Sequence, residues 1–300
     1  MRSDYLKGII PPLVTPIDEN ELIDEKKLRD QVEFVIEGGV HGILAFGSNG
    51  EFYSIEENEQ YRGLEIILDQ VKGRVPVFFG IGEISTKKCI RLAKKAFEIG
   101  ATAISVLQPM FLKPTEKELA YHFGTIADSI DGKDMLLYNN PGRVGYSMSA
   151  DFVVDLIDNH SNIIGIKESS GNMTLTAELI RRTEGKDFKV LGGKDTLIYG
   201  TLVHGGTGAV AATANYVPEL VCGIYNEYEA GNIEEALKLQ YKLNPIRLLV
   251  DKASFPVATK DYANLLGRDI GLPYKPNLPA DDKIQQELKQ VLIDGRFLNE

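Results

Sequence analysis

Short apolar runs alternate with longer amphipathic stretches along almost the whole chain. The runs are Gly8–Val14, Gly42–Phe46, Val75–Gly80, Ala103–Leu107, Met135–Tyr138, Ile163–Lys167, Lys189–Leu191 and Gly208–Ala211. Brief apolar runs bounded by turn residues read as strands buried on both faces. Between them lie helix-like segments such as Asp24–Glu37, Ile55–Val71, Thr86–Ile99 and Thr115–Ile130. Strands alternating with helices imply parallel pairing through right-handed crossovers. Eight such units point to an α/β fold of the (β/α)8 barrel type. A doubly wound sheet is the rival, but no G-x-G-x-x-G opens a helix after a strand.

Local signals agree with this pattern. Asp24 precedes Glu25-Lys26-Lys27-Leu28, and Thr115 is followed three residues on by Glu118, a capping-box spacing. Glycine marks helix ends at Gly39 and Gly100. The segments from Glu37, from Glu98 and from His204 share one plan: helix end, glycine turn, buried strand. Beyond Ala212 the sequence predicts helices near Pro218–Glu229, Ile233–Lys242, Pro256–Leu266 and Asp281–Ile293. The expected organisation is a barrel over residues 1–230 and a helical extension over 231–300 packed on it.

Bulk properties narrow the function classes. A chain of 300 residues can bury a large core, and its net charge of −10 argues against nucleic-acid or anionic-membrane partners. No apolar stretch approaches a membrane span, and the first residues are polar, so a cytoplasmic location is expected. Cys89 and Cys222 lie in apolar, helix-like settings and read as buried free thiols. His41, His122, His160 and His204 show no ligand spacing, so no metal is expected.

In a barrel, chemistry gathers at the C-terminal ends of the strands and in the loops that follow. Those positions hold Thr15, the turn Gly47-Ser48-Asn49-Gly50-Glu51, Tyr138, Arg143, Lys167 and Gly192-Gly193. Lys167 closes an apolar run, where buried wall meets open mouth. Burial disfavours an ammonium, so a lysine there can act as a neutral amine and attack a ketone. The Ser48 turn can hold a carboxylate through its hydroxyl and backbone N–H groups, or be an ordinary polar turn. Arg143, in a Pro-Gly turn, can fork onto a substrate carboxylate or be a surface charge. Tyr138 ends a four-residue apolar run, where a phenol is either core or catalyst.

Taken in order, Gly47-Ser48-x-Gly50-Glu51, Tyr138-Asn139-x-Pro141 and Gly165-x-Lys167 closely resemble the dihydrodipicolinate synthase/N-acetylneuraminate lyase family. The resemblance runs from about Gly8 to the C-terminus, including Gly208 to Asn215. It implies a barrel with extra C-terminal helices, a homo-oligomer (tetramer or dimer), and pyruvate chemistry with neither metal nor organic cofactor. By position it implies that Lys167 is the Schiff-base lysine and Tyr138 the proton-shuttling phenol. It further implies that Ser48 and the backbone at Asn49 bind the pyruvate carboxylate, and that Gly193 and Val210 line the pocket. Arg143 resembles the arginine with which the synthase branch receives the carboxylate of aspartate semialdehyde.

Three positions depart from that branch. Phe111 stands where the resemblance places the family's second relay tyrosine, one contributed across a dimer interface. Asn49 replaces the threonine that normally links the two tyrosines, and Phe52-Tyr53 is bulkier than usual. Tyr5, Tyr53 and Tyr121 are candidate replacements for the missing hydroxyl. The leading expectation is a synthase-type class I lyase acting on pyruvate and aspartate semialdehyde. The alternative is an aldolase for a 2-oxo-3-deoxy sugar acid or another 4-hydroxy-2-oxo acid. A non-catalytic keto-acid sensor is a third reading.

Overall fold

A computed structural model describes residues 1–299. Eight strands form one wholly parallel sheet: β1 (Gly8–Ile10), β2 (Ile43–Ala45), β3 (Val77–Ile81), β4 (Ala103–Leu107), β5 (Asp134–Asn139), β6 (Ile163–Glu168), β7 (Lys189–Gly192) and β8 (Gly208–Val210). Each falls on one of the eight apolar runs. The hydrogen-bonded order is β1-β8-β7-β6-β5-β4-β3-β2. The remaining seam between β1 and β2 is closed just beyond β1, where Leu44 N–H donates to Pro11 O and Leu13 N–H to Leu44 O, both at 2.9 Å. The (β/α)8 barrel expected from the alternation is therefore the fold.

The interior explains why every run is apolar throughout. Ile10, Leu44, Phe78, Ala103, Leu136, Ile164, Leu191 and Val210, one from each strand, pack inside the barrel with Leu6 from the N-terminal segment. The alternate residues, such as Ile9, Ile43, Phe79, Ile104, Leu137 and Val190, face outward into a second apolar layer under the helices. Two buried faces leave no polar position to alternate with.

The helices are α1 (Glu25–Glu37), α2 (Glu57–Val71), α3 (Thr86–Ile99), α4 (Glu116–Ser129), α5 (Pro141–Val144), α6 (Ala150–Asn159), α7 (Met173–Arg182), α8 (Ile198–Val203) and α9 (Pro218–Glu229). A C-terminal layer adds α10 (Ile233–Leu249), α11 (Val257–Leu265) and α12 (Asp282–Asp294). The predicted caps are present. Asp24 accepts from Lys27 N–H at 3.0 Å, and Thr115 and Glu118 satisfy each other's backbone as a capping box.

Two local expectations need correction. The chain around Arg143 is not a simple Pro-Gly turn but the one-turn helix α5, with Pro141 at its first position, where its missing N–H costs nothing. Helix α10 does not stop at Lys242 but runs through Pro245 to Leu249. The carbonyl that Pro245 leaves without a donor belongs to Tyr241, an exposed residue, while Leu243 and Ile246 are buried on the other face. Both cysteines are buried and free. No helix among the described residues is long and apolar enough to cross a membrane.

Candidate active site

Register alone brings the principal residues together. Tyr138 on β5 pairs with Lys167 on β6, and Lys167 with Leu191 on β7, all at the C-terminal end of the barrel. Lys167 is buried, and its Nζ lies 4.1 Å from the centre of the Tyr138 ring. Both line a cleft of about 350 Å3, whose walls also carry Asn49, Arg143, Gly193 and Val210. Thus Lys167, Tyr138, Asn49, Arg143, Gly193 and Val210 share one cavity. Ser48 is buried and close enough to the Tyr138 phenol to favour its ionised form, but is not itself part of the cleft wall.

The electrostatics of Tyr138 make its phenol easier to ionise than a free one. Burial alone would raise the phenol. The charge of Lys167, with hydrogen bonds involving Ser48, Asn140 and Lys167, outweighs burial and holds it below the ordinary tyrosine value. Asn140 Nδ2 donates to Tyr138 Oη at 2.8 Å. The Asn140 backbone is held in turn, since its N–H donates to Gln108 Oε1 at 3.0 Å. Sequence reasoning misses Asn140, which there is only the variable position of Tyr138-Asn139-x-Pro141. Its one signal is a side-chain amide at the start of α5, two residues from the phenol.

The turn after β2 is secured from below and from the C-terminal layer. Thr15 Oγ1 donates to Gly50 O at 2.8 Å, and Thr259 Oγ1 on α11 donates to Asn49 Oδ1 at 3.3 Å. Glu51 is wholly buried at φ 57°, and its carboxylate meets the equally buried Lys260 at 2.6 Å and accepts from Tyr274 N–H at 3.0 Å. Burial pulls Lys260 below the usual lysine range, and Glu51 partly restores it. In the sequence Glu51 is visible only as part of the turn, and nothing there singles out Lys260.

The neighbouring strand ends shape the floor. Asn139 Nδ2 donates to the buried Glu168 carboxylate at 2.6 Å, and Glu168 also accepts from Ser170 N–H at 2.6 Å. These bonds fix the strand end that carries Lys167. Gly193 has to be glycine: a Cβ there would come within 1.8 Å of Ser169 Oγ.

Phe111 lies outside the cleft of its own chain, 94% exposed at φ 68°. Phe52 packs instead against the apolar group Leu107, Tyr138 and Val144. Gly82 makes room for it, since a Cβ there would lie 1.9 Å from the Phe52 ring. The flank of Tyr138 toward β4 is therefore apolar. Of the candidate replacement hydroxyls, Tyr5 donates to Asp134 at the opposite end of the barrel, and Tyr121 is exposed on α4. Tyr53 lies near the mouth, where it feels the charges of Glu51 and Arg143. The Arg143 guanidinium stacks on Phe255 at 3.8 Å, tying α5 to the segment before α11.

Residues 5–294 match the model of the dihydrodipicolinate synthetase family. The chain belongs to that family. A 4-hydroxy-tetrahydrodipicolinate synthase of Methanopyrus kandleri is 34% identical over 96% of this chain and 95% of its own length. A synthase of the same name from Thermodesulfovibrio yellowstonii is 37% identical over 87% of this chain and 89% of its own. Among solved structures, a prophage protein of the family from E. coli K12, in complex with pyruvate, superposes with a TM-score of 0.93. It is 29% identical, over 97% of this chain and 99% of that one. Family membership makes this protein an enzyme, a class I Schiff-base lyase.

Proposed function

We propose that this enzyme joins pyruvate to an aldehyde through a Schiff base at Lys167, with aspartate semialdehyde as the aldehyde. That is the 4-hydroxy-tetrahydrodipicolinate synthase reaction. The observation that carries this reading is the buried Lys167 amine set against the Tyr138 ring, in a cleft that also holds Arg143.

In the proposed sequence the Lys167 amine attacks C2 of pyruvate, and water leaves to give an iminium. The iminium draws electrons from C3, which loses a proton and becomes an enamine. The enamine carbon then attacks the aldehyde carbonyl, whose oxygen takes up a proton, and the amino group of the aldehyde partner adds to C2 of the iminium and expels the Lys167 amine, closing a six-membered ring. The Tyr138 phenol moves these protons, with Asn140 as its hydrogen-bond donor and Ser48 close by. Ser48 and the backbone at Asn49 take the pyruvate carboxylate, Gly193 and Val210 shape the space beside it, and Arg143 takes the carboxylate of the aldehyde. The covalent adduct is itself the electron sink, so these steps call on no metal or organic cofactor.

A second reading, cleavage of a 4-hydroxy-2-oxo acid such as a 2-oxo-3-deoxy sugar acid, draws support from Asn49 and Phe111. Asn49 is turned toward Thr259, and Phe111 brings no hydroxyl to the cleft. A coupled reductase assay with pyruvate and aspartate semialdehyde decides between them. Turnover supports the synthase. Its absence, with pyruvate released from a panel of 2-oxo-3-deoxy acids, supports the aldolase.

We further propose a cytoplasmic homo-oligomer, a dimer or tetramer. Ile84, Phe111, Leu112 and Tyr121, large side chains on neighbouring segments, are exposed in the single chain. Residues 1–230 are read as the catalytic barrel and 231–300 as an extension that closes one side of its mouth.

A further inference from the structure

The cleft is larger than pyruvate needs, and part of its wall comes from a different source than the residues assigned above. Arg247 on α10 lines it, buried except for 15% of its side chain. A guanidinium offers five N–H donors in a planar fork. Among the described residues its one ion pair is with Asp251, a turn further on, at 3.2 Å, and Asp251 is exposed at the rim. The nearby Asp195 carboxylate also supports the Arg247 charge without forming an ion pair with it, while its Oδ2 accepts from Thr213 N–H and Oγ1 at 2.7 Å each.

Tyr216 lines the same cleft. Its ring is buried and stacked on Tyr262 at 4.8 Å, and its phenol oxygen has no hydrogen-bond partner among the described residues. A buried hydroxyl is costly to leave unpaired, so this one is positioned for a partner that arrives from the cleft. The charge balance points the same way. Arg143, Lys167, Lys194 and Arg247 line the cleft against Asp195 and Asp251, in a chain whose net charge is −10. A basic cleft in an acidic protein concentrates anions.

We propose that Arg247 and Tyr216 form an anion-accepting subsite for the far end of the aldehyde partner. The same subsite would serve the 2-oxo acid in the cleavage direction. The group it takes is a carboxylate or phosphate remote from the reacting carbonyl, gripped by the Arg247 fork in exchange for Asp251, with the Tyr216 phenol donating one further bond. This rests on the Schiff-base reading for where the reacting carbon lies; aspartate semialdehyde, whose one carboxylate goes to Arg143, does not fill the subsite, which serves partners with an anionic group further from the carbonyl.

The test uses full-length enzyme, pyruvate and two matched aldehyde pairs: glyceraldehyde with its 3-phosphate, and hexanal with adipate semialdehyde, whose carboxylate lies two carbons beyond the one assigned to Arg143. The wild type should favour the anionic member of at least one pair, and the pair that responds identifies phosphate or carboxylate. Arg247→Gln should raise KM for that member about tenfold or more, the scale of a lost hydrogen bond to a charged group, and leave the neutral member unchanged. Arg247→Lys should recover part of the loss, and Tyr216→Phe should show a smaller effect in the same direction. An equal anionic-to-neutral ratio in wild type and Arg247→Gln overturns the proposal. Borohydride trapping of pyruvate, run alongside, reports on the Schiff base alone. Should trapping fail in the wild type, calorimetric titration with inorganic phosphate and with succinate decides the subsite directly. Saturable binding weakened about tenfold in Arg247→Gln upholds it, and no binding overturns it.

Discussion

The loop after β2 and the loop after β4 approach Tyr138 from two sides, and they are held in different ways. In the first, Glu51 takes a left-handed conformation yet is wholly buried, clamped by Lys260 and the Tyr274 N–H. Asn49 and Gly50 are tied to Thr259 and Thr15. In the second, only the base is pinned. Gln108 bonds to Asn140 N–H, and Tyr146 Oη donates to Pro109 O at 2.8 Å, while Phe111 at the tip is also left-handed but almost fully exposed. A left-handed non-glycine residue costs about 1–3 kcal/mol and persists where its surroundings over-determine it. The β2 loop supplies such surroundings within one chain. The β4 loop tip does not, which separates a pyruvate side built internally from a second side open to its neighbours.

Substitutions should reveal that asymmetry, beginning at the reacting atom. Lys167→Ala should abolish both the trapped adduct and turnover; residual trapping in that variant would place the Schiff base on another lysine. Tyr138→Phe should lower kcat about 10²- to 10⁴-fold while slow adduct formation continues, measured as separate trapping and turnover rates. Breaking the buried pair, by Lys260→Met or Glu51→Gln, should cost about 3–5 kcal/mol in denaturant unfolding, because the partner charge stays buried and alone. A change below about 1 kcal/mol would mean that the β2 loop does not depend on it.

A smaller effect is expected at Asn140, and pH exposes it. With the phenolate as base, the rate rises with pH through the Tyr138 pKa, which sits below that of a free phenol. Asn140→Leu removes a donor to the phenolate, so the rising limb should move to higher pH and kcat near neutrality should fall about tenfold. An unmoved limb would assign Asn140 a purely structural part. Smallest of all, Phe111→Ala should change the unfolding free energy of the isolated chain by no more than about 0.5 kcal/mol. A large loss would show that the β4 tip is as firmly tied into the fold as the β2 turn.

Much of this is legible in the sequence because it is local. Eight apolar runs with two buried faces leave few alternatives to a barrel, and Lys167 is visible as the charge ending one of them. Register then carries Tyr138 to Lys167 without further information. The rest depends on pairs distant in the chain. Lys260 reads as one more lysine of an amphipathic helix until the fold buries it against Glu51. Thr259 acquires meaning only opposite Asn49, and Arg247 only once α10 is seen to continue through Pro245. Asn140 is hidden differently: it lies beside Tyr138 in sequence, but a side-chain amide does not announce which oxygen it will meet.

The most direct test of Schiff-base chemistry at Lys167 is borohydride reduction of the wild-type protein with pyruvate, followed by peptide mapping by mass. The expected result is a reduced pyruvyl adduct on Lys167. A folded protein that gives no adduct, or one confined to another lysine, would contradict it.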